Sequence, residues 1–253
     1  MPAQDSPAAS DAPVQTAESP PEQSRSRRVE TPWWRPSDPR RAATAGFSAF
    51  LVGYVLTGIA FAVQIQSVSR GGAGSGGFVS TVIDRAVGVG GRQVVASSGG
   101  ELALALRSVG WTFFSAQQIP LFGTARGLGM SASGTVDVLS IARQTVEIPL
   151  TPPLYYLIPP VCLVGAGWWL ARSSPLPSSG AAAAAGAQVV VGYLPTVVVA
   201  ALLLAFSANV NLVVASATIT AEPVLLRALT FGSGYAVVFG ALGGVLAWKL
   251  QQE

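Results

Sequence analysis

The sequence predicts an all-α membrane protein: four transmembrane helices with an extracytoplasmic insert between the first and second spans. One support is Ala187–Phe206, AQVVVGYLPTVVVAALLLAF, twenty residues without a charge. As a helix rising about 1.5 Å per residue, it spans roughly 30 Å, the hydrocarbon thickness of a bilayer. Three further stretches read the same way. Composition agrees: 50% of residues are apolar, 11% are charged and the mean hydropathy is +0.50. Soluble domains carry about 25% charged residues. Lipid-facing helices produce that deficit, because a charge at the bilayer centre is costly.

Residues 1–41 read as a disordered cytoplasmic tail. They hold eight of the 18 prolines and balance six acids against six Arg. Such a segment cannot bury enough apolar surface to offset its ordering entropy. At its end, Trp33 and Trp34 precede Arg35, Arg40 and Arg41. Indole rings favour the headgroup level and Arg the cytoplasmic side, so the pair reads as an interfacial anchor. A partner-binding segment is the alternative, since Trp is a common hot-spot residue.

The first span falls at 42–66. Ala49, Gly53 and Thr57 lie four apart and form one small-residue stripe. The insert, 67–153, opens with RGGAGSGG. Gly72, Gly74 and Gly77 fit a dinucleotide-binding spacing, but they follow a span, not a strand, and read as a linker. Ser98-Gly-Gly-Glu101 is a capping-box pattern that opens an amphipathic helix over 101–118. Leu102, Leu106, Val109 and Phe113 would share its apolar face, as an interfacial helix packed on the membrane domain or lying at its surface. After Pro120 and a Gly-rich turn, Thr135–Ile148 suggests a short hairpin.

The second span covers 154–171. Pro159 and Pro160 should break its first turns, and Trp168 and Trp169 anchor its end before Arg172. A cytoplasmic loop, 172–186, follows. The third span is 187–206, with Pro195 set to kink it. A polar outer loop, 207–227, leads to the fourth span, 228–248, which ends at the anchor Trp248. Gly232, Ala236, Gly240 and Gly244 recur every fourth residue there, a ridge that another helix can approach closely. Arg35, Arg40, Arg41, Arg172 and Lys249 fall on one side of four spans, which predicts both termini in the cytoplasm of a multi-pass plasma-membrane protein.

The chemistry that composition excludes is broad. There is no histidine, and Lys249 is the only lysine. Cys162 stands alone in an apolar run, so no intrachain disulfide or cysteine-held metal is expected. The net charge of +3 carries no basic stripe for nucleic acid. The span cores hold no ionisable carboxylate or amine; Asp84, Glu101, Asp137, Glu147 and Glu222 all lie outside them. Thr57, Tyr193, Thr196, Thr230, Ser233 and Tyr235 read as helix-packing hydrogen bonds. No catalytic, cofactor-binding or metal-binding residue is therefore expected, and no cofactor.

Val109–Pro120, Leu154–Arg172, Val189–Phe206 and Tyr235–Ala247 resemble a group of small polytopic membrane proteins from halophilic archaea. The resemblance covers roughly Gly46–Lys249 and leaves out the proline-rich tail. It implies a plasma membrane facing high salt, and it carries no assigned activity. Exposed segments would then be strongly acidic, yet the insert has four acids against six Arg. That departure suggests the insert is covered.

The leading expectation is a non-catalytic subunit or scaffold that packs against other membrane chains or itself within the lipid bilayer. The Gly232/Ala236/Gly240/Gly244 ridge motivates it: Leu at Gly240 and Gly244 should disrupt an assembly without changing insertion. A small-solute transporter or channel built on Pro- and Gly-broken helices is the alternative. A membrane-embedded enzyme is the third reading, without a catalytic group to support it.

Overall fold

The computed structural model describes residues 38–70, 100–127, 130–140, 153–173, 176–212 and 215–253. Trp33, Trp34, the Gly-rich linker, Ser98 and residues 141–148 of the expected hairpin lie outside them. In chain order the elements are α1 (Pro39–Arg70), α2 (Glu101–Ala116), β1 (Leu121–Gly127), β2 (Met130–Val136), α3 (Pro153–Arg172), α4 (Ser179–Ala187), α5 (Val190–Leu203), β3 (Phe206–Leu212), β4 (Ala215–Pro223) and α6 (Leu225–Leu250). Four helical stretches are long and apolar enough to cross a membrane: Pro39–Gln64, Pro153–Arg172, Ser179–Leu203 and Leu225–Leu250.

The spans alternate in direction. Ala43 and Gly46, early in α1, meet the start of α5, while Gly244, late in α6, meets Ala182 at the start of α4. Tyr155, early in α3, donates a 2.6 Å hydrogen bond to Gln64, late in α1. The first turns of α1 and the last turns of α6 therefore lie at one end of the bundle.

At the other end stands a feature that overturns the all-α expectation. β1, β2, β3 and β4 form an antiparallel sheet in the order β2-β1-β4-β3. A hairpin is present, but not over Thr135–Ile148: Leu121 pairs with Val136 and Gly127 with Met130, and Val138–Ser140 of the expected stretch are helical. The polar outer loop, 207–227, is largely strand and supplies the other two, with Thr124 of β1 opposite Thr220 of β4. Alternation hidden in Ser, Thr, Ala and Gly, without Val- or Ile-rich runs, masks these strands in sequence.

Residues 172–186 also differ from the expected loop, since Ser179–Ala187 is helical. Its side-chain-poor sequence, SGAAAAAGA, has high helix propensity, and Ser178 caps it by accepting from the Ala181 amide at 3.2 Å. The third span is thus two helices in series. It is interrupted at Gln188–Val189, where amides reach three residues back (Val189 N to Gly186 O, 3.2 Å). Pro195 lies inside α5, and Pro159 and Pro160 inside α3, without ending either helix. Each proline lacks the N–H that would donate to the helix.

Of the two placements expected for α2, the structure shows packing on the membrane domain. It packs on α1 and α3, and Phe113, Phe114, Ala116 and Ile119 are almost fully buried. The expected face is split. Val109 and Phe113 point inward, but Leu102 and Leu106 are 74% and 50% exposed. The helix ends in a Schellman turn: Gln118 takes a left-handed φ of 62°, and Ile119 N reaches Phe114 O at 3.0 Å. That reversal sends the chain through Pro120 into β1, and Val224 N then bonds Pro120 O at 3.2 Å, tying α6 to the insert.

Candidate functional site

The interior of the bundle is closed by backbone-to-backbone packing. A Cβ on Gly240 would sit 2.6 Å from the Gly186 carbonyl oxygen. One on Gly167 or Gly186 would overlap the Gly240 carbonyl, and one on Gly244 would overlap that of Ala182. Gly232 and Ala236 complete the buried seam, packing toward Val197 and the central core. The ridge of α6 therefore finds its partners, α3 and α4, in its own chain. The stripe of α1 behaves likewise: Ala49 is buried, and a Cβ on Gly53 would lie 2.8 Å from the Phe113 ring. Sequence reading missed Gly46, Gly167, Gly186, Gly192 and Gly243, each at a similar crossing. They fall outside the single every-fourth-residue register that picks out the α6 ridge.

Polar groups in the spans mostly turn back on their own helices. Thr57 bonds Gly53 O at 2.8 Å, Thr196 bonds Gly192 O at 2.7 Å and Ser233 bonds Leu229 O at 2.6 Å. These hydroxyls do not link helices. Tyr193 does: buried, it donates a 2.7 Å bond to Gln117 Oε1, just past α2. Tyr54 holds the same helix through Leu106 O at 2.7 Å, and Trp111 reaches Leu204 O at 3.1 Å. No buried side-chain N or O is left unpaired among the described residues. At the α3 end, the Arg172 guanidinium lies 5.1 Å from the Trp168 ring centroid while Trp169 is exposed; Trp248 is partly buried.

The sheet is the contrasting region. Register divides its side chains strictly. One face, with Leu121, Ala221, Ile219, Phe206 and Ala208, is apolar, and its β3–β4 half packs on Trp111. The other face carries hydroxyls and amides across all four strands. One row reads Ser133, Thr124, Thr220, Ser207; the next reads Ser131, Arg126, Thr218, Asn209. Thr124 and Thr220 share a 2.7 Å hydrogen bond, and Thr218 donates to Asn209 at 2.9 Å.

A trough of about 510 Å³ lies on this face, lined by Thr124, Arg126, Ala205, Phe206, Ser207, Thr218, Thr220 and Glu222. Short side chains make the floor, and the two long charged ones stand at its ends. Arg126 and Glu222 sit on adjacent strands four residues apart in register, about 13 Å at 3.3 Å per residue. Neither is in an ion pair among the described residues. Two segments distant in sequence build this site, so only pairing of β1 with β4 brings it together. Among the described residues no three Cys, Asp or Glu side chains converge to hold a metal ion.

A compact bundle with four helical stretches long and apolar enough to cross a membrane, capped by a small sheet, fits a polytopic membrane protein. The chain belongs to the family of unknown function DUF7978, whose pattern matches residues 22–251. No curated protein and no solved structure matches it.

Proposed function

We propose that the protein is a non-catalytic subunit or scaffold of an assembly in the plasma membrane, with both termini cytoplasmic and the sheet outside. The observation that supports this reading is the division of polar chemistry. The bundle is filled by helix contacts and self-paired polar groups, and the sheet holds unpaired charge on a rigid platform outside it. Arg40, Arg41, Arg172 and Lys249 cluster toward the opposite end, as the positive-inside rule requires of a cytoplasmic face. The Lys-poor, Arg-rich usage supports a halophilic archaeal source.

The α6 ridge no longer motivates self-association, because its partners are internal. Assembly would instead use the sheet or the exposed apolar sides of the spans. The test is the native mass of the protein extracted from its own membranes in mild detergent, with co-purifying chains identified. A stoichiometric partner or a defined oligomer is expected; a lone monomer would overturn the subunit reading.

A transporter or channel is the second reading, favoured by the interruption at Gln188–Val189 within the third span. Cysteines placed singly from Ala187 to Val199 would react with an aqueous thiol reagent along one helix stripe if that span lines a pathway. Labelling confined to the ends would sink it.

A further inference from the structure

We propose that the outward face of the sheet binds an acidic oligosaccharide, laid along the trough with its carboxylate at Arg126. The argument begins with the floor. Each Ser and Thr hydroxyl can donate one hydrogen bond and accept two. The hydroxyls of a sugar have the same dual capacity, so rows of Ser and Thr match a polyol without fixing which partner donates. Thr124 and Thr220 use one hydrogen between them and keep the rest of their capacity for a ligand.

The walls supply direction. The guanidinium of Arg126 is exposed and in no ion pair among the described residues. Its planar fork of donors matches a carboxylate in a bidentate pair. Glu222, about 13 Å away at the other end, repels an acid and accepts from hydroxyls. An acidic sugar unit is thereby steered to the Arg126 end and its neutral neighbours toward Glu222. Phe122 shares the rung of Glu222 on the same face and is 36% exposed, which offers an apolar ring to the C–H face of a sugar.

Other occupants fit less well. A phosphate or nucleotide would meet one lining cation, no lysine and a carboxylate. A divalent metal would meet a single carboxylate. A protein partner would find no apolar anchor at the centre of the face, where hot spots lie. The outward side of the trough rests on the proposed topology, but binding does not. Topology is read separately, by reagent access to cysteines placed at Ser207 and at Gln252. Failure of either proposal is thus distinguishable from failure of the other.

The experiment titrates the full chain, in a detergent without a sugar headgroup, with a maltotriose whose non-reducing terminal unit is a glucuronate and with neutral maltotriose, followed calorimetrically. Saturable binding of the terminal-uronate trisaccharide is expected, at least tenfold tighter than that of maltotriose. Arg126→Ala should weaken it at least tenfold, and the pair Thr124→Val with Thr220→Val should weaken it similarly, each with an unchanged melting midpoint. Raising salt to about 1 M should weaken it too, as the Debye length falls to about 3 Å. Absence of saturable binding of the terminal-uronate trisaccharide, equal affinity for maltotriose, or full affinity in the Arg126→Ala chain would each overturn the proposal.

Discussion

Small side chains line both the seam of α6 and the floor of the sheet trough, yet they do opposite things. Along α6, Gly240, Gly243 and Gly244 let α3 and α4 come so close that a Cβ would strike backbone. Across the sheet, Thr124, Ser207, Thr218 and Thr220 face no second layer among the described residues, and their shortness leaves open space between Arg126 and Glu222. A small residue thus means contact where a facing element exists and means room where none does. In lipid the first use matters most, because helix association there depends on van der Waals packing and not on apolar burial.

The largest expected effect breaks the seam. Gly240→Leu inserts a side chain between two backbones that cannot both retreat, at a cost of about 3 kcal/mol or more. Loss of a monodisperse species on size exclusion in mild detergent is the check. Gly165 is the control, since nothing lies within 4 Å of an added Cβ there. Gly165→Ala should stay within about 0.5 kcal/mol of the native chain. A folded, normally stable Gly240→Leu chain would show that the seam is not tight.

Trp111 links the two regions, with its indole N–H on Leu204 O and its ring 5.9 Å from Phe206 at 73°. Trp111→Ala should cost about 2 kcal/mol through the lost hydrogen bond and edge contact. Amide exchange should rise in β3 and β4 before the spans change. Equal loosening of bundle and sheet would mean that the sheet is held elsewhere.

Tyr193→Phe leaves the Gln117 amide oxygen without its donor deep between α5 and α2. About 1 kcal/mol of stability should go, measured as a lower thermal midpoint. The smallest effect is a gain. Gln118 holds a left-handed φ of 62° in the Schellman turn, and Gln118→Gly should add about 0.5 kcal/mol by relieving it. A loss instead would mean that the Gln118 side chain contributes more than its backbone strain costs.

Hydrophobic length marked the four spans, because a run of apolar residues near the bilayer thickness needs no partner to be recognised. The α6 ridge was visible for a similar reason, since its period lies within one helix. Gly186 and Gly167 were not, because what makes each small is the Gly240 carbonyl, a partner on another helix. The strands were hidden by chemistry. Their alternation sets Ser and Thr against Ala and Gly, and the two residues between β3 and β4 in the sequence are Val-Val, without Gly, Asn or Asp. The loop at 172–186 was mistaken because Pro and Ser at its start outweighed the Ala run of α4.

What the sequence determined by itself was local: which stretches can cross a membrane, which helix carries a small ridge, and which chemistries lack their side chains altogether. Those properties depend on residues close together along the chain, and periodicity or composition suffices to read them. Tertiary structure alone decided where the ridge is used, that α2 packs on α1 and α3, and that Arg126 and Glu222 share one trough. Each depends on two segments meeting from far apart in sequence, and only the pairing of β1 with β4 and the crossing of α6 over α3 and α4 set those distances.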